Sequence, residues 1–156
     1  MNVALFSDTY PPEINGVATS TFNLRKTILA HGDNCIVVTT NPFSNKITFE
    51  DGVLRLPGVL LKKLYGYRMS GFYSQQAMRY IERFKPDIVH CQTDAGVGIF
   101  GTIVASRCHC GMVYTFHTMI EDYAYYFTRG HFDRVARHAI RFYFMGQSSR
   151  FGAFIA

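Results

Sequence analysis

The sequence predicts an α/β fold, a parallel β-sheet with helices on both faces. Residues 2–6 form a short apolar run, and residues 35–40 form a β-branched run typical of a strand buried on both faces. Between these runs, residues recur at helical spacing, namely Val17, Thr21, Leu24 and Ile28. Strands that alternate with helices indicate a parallel sheet built with right-handed crossovers.

The remaining elements follow from local patterns along the chain. Further strands are predicted at residues 53–56, 87–91 and 112–115, with another beginning at residues 154–156. Further helices are predicted at residues 72–84, 98–107, 119–127 and 132–144. Residues 59–71 are expected to form a loop with one short helical turn, because two glycines interrupt a basic and aromatic stretch.

Composition limits the class of protein and the kinds of partner. The chain has 156 residues, 48% hydrophobic and 17% charged, which is enough for one globular domain with a substantial core. The net charge of +5 and a pI near 9.1 allow nucleic acid, acidic lipid or a phosphorylated substrate as partner. A secretory leader and a membrane span are not expected, because the first residues carry no basic charge and no uncharged apolar run is long enough.

The four cysteines do not predict a metal centre. Cys108 and Cys110 are close in sequence, whereas a structural zinc site shows two such pairs of ligands. Cys35 and Cys91 fall within predicted strands, where a free thiol behaves as a small apolar side chain. No metal ion or organic cofactor is therefore predicted.

The loop that follows the first predicted strand is a candidate anion site. It lies within residues 6–17, and Gly16 at its end opens the first helix at the carboxyl edge of the sheet. Unpaired N–H groups at a helix N-terminus suit a phosphate, and a glycine lets a ligand approach the backbone closely. The alternative is that Pro11-Pro12 and Asn15-Gly16 serve only as turns.

His117 is a second candidate at the same edge, because it follows the predicted strand at residues 112–115. Its imidazole can donate to a sugar hydroxyl or a phosphate, or transfer a proton near neutral pH. Glu121 and Asp122 follow within one turn and can accept hydrogen bonds from hydroxyl groups. The alternatives are a structural histidine and two acids that favour a helix N-terminus.

Residues 96–101 match the G-x-G-x-x-G pattern of dinucleotide-binding proteins. Four residues separate the preceding strand from Gly96, and the next strand does not end in an acid. We therefore expect these glycines to serve close helix packing, with nicotinamide or flavin binding as the alternative. The sequence contains neither a P-loop nor a G-x-S-x-G elbow.

Two stretches, residues 55–85 and 129–150, combine basic residues with aromatic ones. Such a composition suits an anionic bilayer surface. It can also stack on nucleic acid, or form an ordinary solvated helix face. The sequence alone leaves these three alternatives open.

Three stretches, residues 8–17, 86–90 and 115–123, give the chain a family resemblance. In order and spacing they resemble the retaining GT-B glycosyltransferases that include bacterial diacylglycerol glucosyltransferases and phosphatidylinositol mannosyltransferases. The tyrosine-rich residues 121–126 are most similar to the glycolipid glucosyltransferase branch. The resemblance implies a Rossmann-like domain, the N-terminal, acceptor-side half of a GT-B architecture spanning residues 1–156.

The resemblance also implies an activity and partners. Such an enzyme would transfer a hexose, glucose, from a nucleotide sugar of the UDP-glucose type to a diacylglycerol-type lipid. It would lie in the cytoplasm, bound peripherally to the anionic inner face of the cell membrane, with no nucleic-acid partner. The nucleotide-binding C-terminal domain is expected to be absent from this chain, which alone would form an incomplete, inactive half. The alternatives are a non-catalytic lipid- or anion-binding module and a nicotinamide-dependent oxidoreductase.

Carried onto this sequence, the resemblance assigns residues to roles. His117 would be catalytic and touch the donor sugar, while the backbone of Gly16 would contact the donor diphosphate. The substrate-binding residues would be Asp8, Asn15, Gly16, Thr118, Glu121, Asp122 and Tyr123. The membrane-surface residues would be Lys62, Lys63, Arg68, Arg137, Arg141 and Phe142. Relatives often have His-Thr-His-Thr-Glu where this chain has His-Cys-Gln-Thr-Asp at residues 90–94, and no role is assigned there.

Overall fold

The computed structural model describes residues 1–60, 68–94, 96–117 and 153–155. Within these residues the strands are β1 Asn2–Phe6, β2 Asn34–Thr40, β3 Thr48–Glu50, β4 Val53–Leu56, β5 Gly58–Leu60, β6 Arg68–Ser70, β7 Ile88–Cys91, β8 Gly111–Thr115 and β9 Ala153–Ile155. The helices are α1 Gly16–Ala30, α2 Gln75–Phe84 and α3 Gly96–Cys108. The helices predicted at residues 119–127 and 132–144 lie outside the described part of the chain.

Seven of the strands form one sheet in the order β3-β4-β2-β1-β7-β8-β9. All neighbours are parallel except β3, which runs antiparallel to β4. The predicted α/β class is confirmed. Strand β1 lies between β2 and β7, so the strand order reverses there and a crevice opens at the carboxyl ends of β1 and β7.

Each face of the sheet carries an apolar core. On one face Leu24 and Ile28 of α1 pack against strand residues that include Leu5 and Val37. On the other face α2 and α3 cover a larger core that includes Phe6 and Val38. Because successive strand residues point to opposite faces, alternate residues of β1 and β2 enter opposite cores.

Two local predictions differ from the structure. Residues 59–71 were expected to form a loop with a helical turn, whereas β5 and β6 pair as an antiparallel two-stranded sheet, with Gly58 opposite Ser70. The intervening residues 61–67 lie outside the described part of the chain. Strand β3 was not predicted either. Three residues are too few for the alternating pattern of a strand to be recognised in the sequence. The pairing of such short strands also depends on partners elsewhere in the fold.

The glycines of residues 96–101 serve close packing, as predicted. A Cβ on Gly98 would overlap the carbonyl oxygen of Thr93, and one on Gly101 would lie 2.5 Å from Sγ of Cys91 and 2.9 Å from the Phe6 ring. Helix α3 therefore approaches the ends of β1 and β7 more closely than a side chain would allow. This contact accounts for the glycine pattern without a dinucleotide.

We expect Gly98→Ala to lower the free energy of unfolding by at least about 2 kcal/mol, because overpacking displaces α3 from β7. Gly71→Ala is the matched control, since no described atom lies within 4 Å of its Cβ position, and it should change stability by less than about 0.5 kcal/mol. Urea unfolding followed by circular dichroism measures both. Equal stabilities for the two variants would contradict the packing argument.

Candidate active site

A cleft of about 450 Å³ opens at the carboxyl edge of the sheet, beside β1 and β7. It is lined by Thr9, Asn15, Gly16, Val17, Thr93 and His117. Gly16 and His117 therefore line the same cleft, although about a hundred residues separate them in sequence. The expectation that both lie at one edge of the sheet is confirmed.

One wall of the cleft is the N-terminus of α1. Asn15 caps the helix, because its Oδ1 accepts a hydrogen bond from the Ala18 N–H at 2.8 Å. The same oxygen accepts from Oγ1 of Thr9 at 3.2 Å, which holds the preceding loop against the helix. None of the described residues accepts a hydrogen bond from the N–H groups of Gly16 and Val17. These two donors are available to an anion in the cleft.

Gly16 itself faces open space. No atom of the described residues lies within 4 Å of the position that its Cβ would take, and its φ angle is outside the left-handed region. Neither packing nor backbone conformation therefore requires a glycine. A side chain here would instead cover the approach to the free N–H groups, which supports close contact with a ligand as the reason for this glycine.

The opposite wall carries His117, whose Nε2 lies 2.6 Å from Oε1 of Gln92. A second pair lies deeper, where Nε2 of His90 is 2.7 Å from Oγ1 of Thr115. Burial lowers the pKa of His117, and burial with the nearby His117 lowers the pKa of His90 to about 4. Both imidazoles are therefore neutral at pH 7.

No role was expected for the segment after β7, but the structure places two of its residues at the site. Gln92 contacts His117, and Thr93 lines the cleft. Oγ1 of Thr93 also accepts a hydrogen bond from the Asp8 N–H at 3.0 Å, which joins the ends of β1 and β7. The recognisable signal was the spacing of His90 and Gln92, two polar residues on one face of a strand that leads to the sheet edge.

Asp8, predicted to bind substrate, is hydrogen-bonded to α3. Its Oδ1 accepts from the Val97 N–H at 3.0 Å, at the N-terminus of that helix. Gly96, with φ of 34°, leaves room for the carboxylate, since a Cβ there would lie 2.7 Å from Oδ1. Burial raises the pKa of Asp8, and the hydrogen bond from Val97 acts in the opposite direction. Its contact with a substrate stays a prediction.

Asp94, beside Asp8, is a second partly buried acid. Its Oδ1 is shielded from solvent, and no described residue donates a hydrogen bond to it. Burial, followed by the negative charge of Asp8, raises the pKa of Asp94 to about 6. An ionised Asp94 is therefore destabilising at neutral pH.

We expect Asp94→Asn to stabilise the fold above pH 6. Asp94 has a pKa of about 6 in the folded state against an ordinary value of 3.8, so the folded state holds the proton more tightly. The stabilisation from that proton is complete below about pH 4 and is lost as the pH rises through 6. Thermal unfolding from pH 4 to 8 should show the advantage of the variant growing over this window. The exposed Asp51→Asn is the control, and a pH-independent difference for Asp94→Asn would refute the assignment.

Several predicted site residues cannot be placed. Those outside the described part of the chain are Thr118, Glu121, Asp122, Tyr123, Lys62, Lys63, Arg137, Arg141 and Phe142. Arg68 is described and half-buried. Its Nε and one terminal nitrogen donate to the carbonyl oxygen of Gly58 at 3.2 and 2.9 Å, and the guanidinium also contacts Asn45. The substrate-binding role of residues 118 and 121–123 and the membrane role of the basic residues and Phe142 stay predictions.

Arg68 borders a shallow apolar depression of about 420 Å³ next to the β5–β6 sheet. It is lined by Asn45, Pro57, Gly58, Val59, Leu60 and Arg68. Val59 is 71% exposed and Leu60 46%, and Phe43 on the adjoining loop is 76% exposed. Arg68 connects β5 to the loop that carries Phe43 through its hydrogen bonds to Gly58 and Asn45, so the three exposed apolar side chains lie on joined segments.

In the part of the chain that the structure describes, no helix combines the length and the apolar character needed to cross a membrane.

Comparison with known proteins identifies the family. The model of Glycosyltransferase Family 4 matches residues 14–156, which is nearly the whole chain. The chain belongs to glycosyltransferase family 4. Its mostly parallel sheet with helices on both faces agrees with the Rossmann-like N-terminal half of a GT-B enzyme.

Two relatives of this family 4 chain have curated names. An alpha-monoglucosyldiacylglycerol synthase of Acholeplasma laidlawii is 34% identical over 131 residues, which cover 83% of the chain and 33% of the relative. A protein of the same name from Streptococcus pneumoniae is 31% identical over 135 residues, which cover 83% of the chain and 30% of the relative. The family 4 chain thus spans about a third of the length of these relatives.

Proposed function

We propose that this family 4 domain forms one wall of the active site of an enzyme that glucosylates a diacylglycerol-type lipid from a UDP-glucose type donor. The observation that carries the proposal is the open N-terminus of α1, where Gly16 and Val17 offer two free N–H groups to the cleft. The names of the two relatives support the sugar and the acceptor.

The chemistry assigned to this wall is stabilisation of the leaving group. In sugar transfer, the bond between the anomeric carbon and the donor phosphate breaks, and its electron pair moves to the diphosphate. The N–H groups and the positive end of the α1 dipole lower the energy of that developing charge. The acceptor hydroxyl would attack the same face of the sugar and pass its proton to the departing phosphate oxygen, so that the anomeric configuration is retained. His117 would contact the donor sugar beside the reacting carbon.

This wall alone is insufficient for a diphosphate with two negative charges. Among the described residues that line the cleft, none is a lysine or an arginine. We propose that cationic groups and the nucleotide site come from a second, C-terminal domain of a longer protein. The chain of 156 residues alone should then be inactive.

The acceptor lipid would approach over the apolar depression next to the β5–β6 sheet. Phe43, Val59 and Leu60 could enter the interfacial region of a bilayer, while the lysines at positions 62 and 63 meet anionic headgroups. The protein would then be a peripheral one on the inner face of the cell membrane.

The proposal is tested with the purified full-length gene product that carries this chain. It is incubated with labelled UDP-glucose and diacylglycerol in mixed micelles that contain anionic lipid, and lipid products are separated and identified by mass spectrometry. We expect a monoglucosylated lipid, whose α configuration is read by proton NMR. Absence of any glucosylated lipid, with donor and acceptor varied, would reject the proposal.

A second candidate is a non-catalytic lipid-binding module, which the exposed apolar depression favours. Sedimentation of the 156-residue chain with liposomes, with and without anionic lipid, measures binding directly. Binding combined with no transfer activity in the full-length protein would support the module over the enzyme.

A further inference from the structure

We propose that Gln92 is a positioning residue that sets the tautomer of His117. In this arrangement Nε2 carries the ring proton and Nδ1 is presented to the ligand as a hydrogen-bond acceptor. The identity of the ligand rests on the proposed function, whereas the state of the ring does not.

The position of Gln92 is set by the fold. Its side chain is buried, with only 2% of the residue exposed, and its N–H donates to the Phe6 carbonyl oxygen at 2.8 Å. Gln92 is therefore held at the ends of β1 and β7 while His117 lies exposed at the cleft. A buried amide cannot turn toward solvent, so it constrains the more exposed ring.

The contact follows from strand register. His90 lies opposite Val113 in the β7–β8 pair, yet its side chain bonds Thr115, two residues further along. Gln92 reaches His117 with the same offset. The two hydrogen bonds share the same two-residue offset and follow each other along the strands. They form a polar ladder on the face of the sheet that also carries α1.

The hydrogen bond between Gln92 and His117 then determines which ring nitrogen carries the proton. In the orientation that the structure gives the Gln92 amide, Oε1 faces the ring and can only accept, so the Nε2 atom 2.6 Å away is the donor. Burial lowers the pKa of His117, so the ring carries a single proton at neutral pH. Nδ1 consequently keeps its lone pair.

This tautomer divides the cleft into two kinds of site. A lone pair on Nδ1 accepts a hydrogen bond from a hydroxyl group and repels a phosphate or carboxylate oxygen. Anionic oxygens are directed instead to the N-terminus of α1. On the sequence alone His117 was equally suited to donate to a phosphate, and the contact with Gln92 removes that role.

Nuclear magnetic resonance of the ¹⁵N-labelled chain tests the assignment directly. Two-bond proton–nitrogen spectra report the tautomer of each of the six histidines, and His117→Gln identifies the signals of His117. We expect His117 to be protonated at Nε2, with an N–H proton that exchanges slowly because a buried acceptor holds it. A proton on Nδ1, which the reversed amide of Gln92 would produce, overturns the proposal.

Two substitutions separate the role of Gln92 from general stability. Gln92→Leu should abolish the slowly exchanging N–H signal. Gln92→Glu should raise the pKa of His117 by about one unit or more, because a carboxylate favours the charged ring. Thr115→Val is the control, since it removes the neighbouring hydrogen bond of the ladder and should leave the His117 tautomer unchanged.

An unchanged pKa of His117 in Gln92→Glu would overturn the proposal, and this measurement still decides if Gln92→Leu fails to fold. The spectra require no sugar transfer. They therefore judge the role of Gln92 even when the full-length protein fails to glucosylate a lipid, which is the separate failure of the proposed function.

Discussion

Replacing Gly16 with valine should lower kcat/KM for sugar transfer about a hundredfold in the full-length protein. The valine methyl groups would cover the N–H donors at the N-terminus of α1, and loss of one preorganised donor to a developing oxyanion costs about 10²- to 10³-fold. The free energy of unfolding should change by less than about 0.5 kcal/mol, since no described atom lies near the added side chain. Initial rates with varied donor concentration measure the effect.

Gly71→Val is the matched control for this substitution. Gly71 is also exposed, and no described atom lies within 4 Å of its Cβ position, but it does not line the cleft. Its kcat/KM should stay within twofold of the unmodified protein. If Gly16→Val were as active as Gly71→Val, the diphosphate would have to bind elsewhere.

His117→Ala should lower kcat about tenfold to a hundredfold, which corresponds to the loss of one hydrogen bond to the donor sugar in the transition state. The variant should also lose about 1 kcal/mol of stability, because Oε1 of the buried Gln92 loses its partner. Rates and thermal unfolding, measured together, separate the two effects.

The pH profile provides a further check on His117. Since burial lowers its pKa, the unmodified protein should keep its rate down to pH values below the ordinary imidazole range and lose activity only when the ring is protonated. This acidic limb should be missing in His117→Ala. The control is His31→Ala, which replaces an exposed histidine at the end of α1. This variant should keep both the rate and its decrease at acidic pH. Loss of activity in both variants alike would argue against a specific role for His117.

Much of the architecture could be predicted because local patterns specify it. Three local patterns each predict one element and its burial. They are the apolar run of β1, the helical spacing after Gly16 and the β-branched run of β2. The close packing of the glycines of residues 96–101 was also predicted correctly, because the gap after the preceding strand and the missing acid favoured packing over a dinucleotide loop. The short strands β3, β5 and β6 were missed, since three residues carry no measurable period and their pairing depends on distant partners.

Local sequence patterns predicted that Gly16 and His117 each follow a strand, and in a parallel sheet this places both at the carboxyl edge. They could not determine that Gln92 holds His117 or that Asp8 bonds the N-terminus of α3. Those contacts depend on which strands are neighbours, on their register and on where α3 begins. Pairings between distant segments set all three, whereas periodicity reports only which face of its own element a residue occupies. The shared edge of Gly16 and His117 was thus predictable, whereas the contact between Gln92 and His117 depends on the tertiary structure.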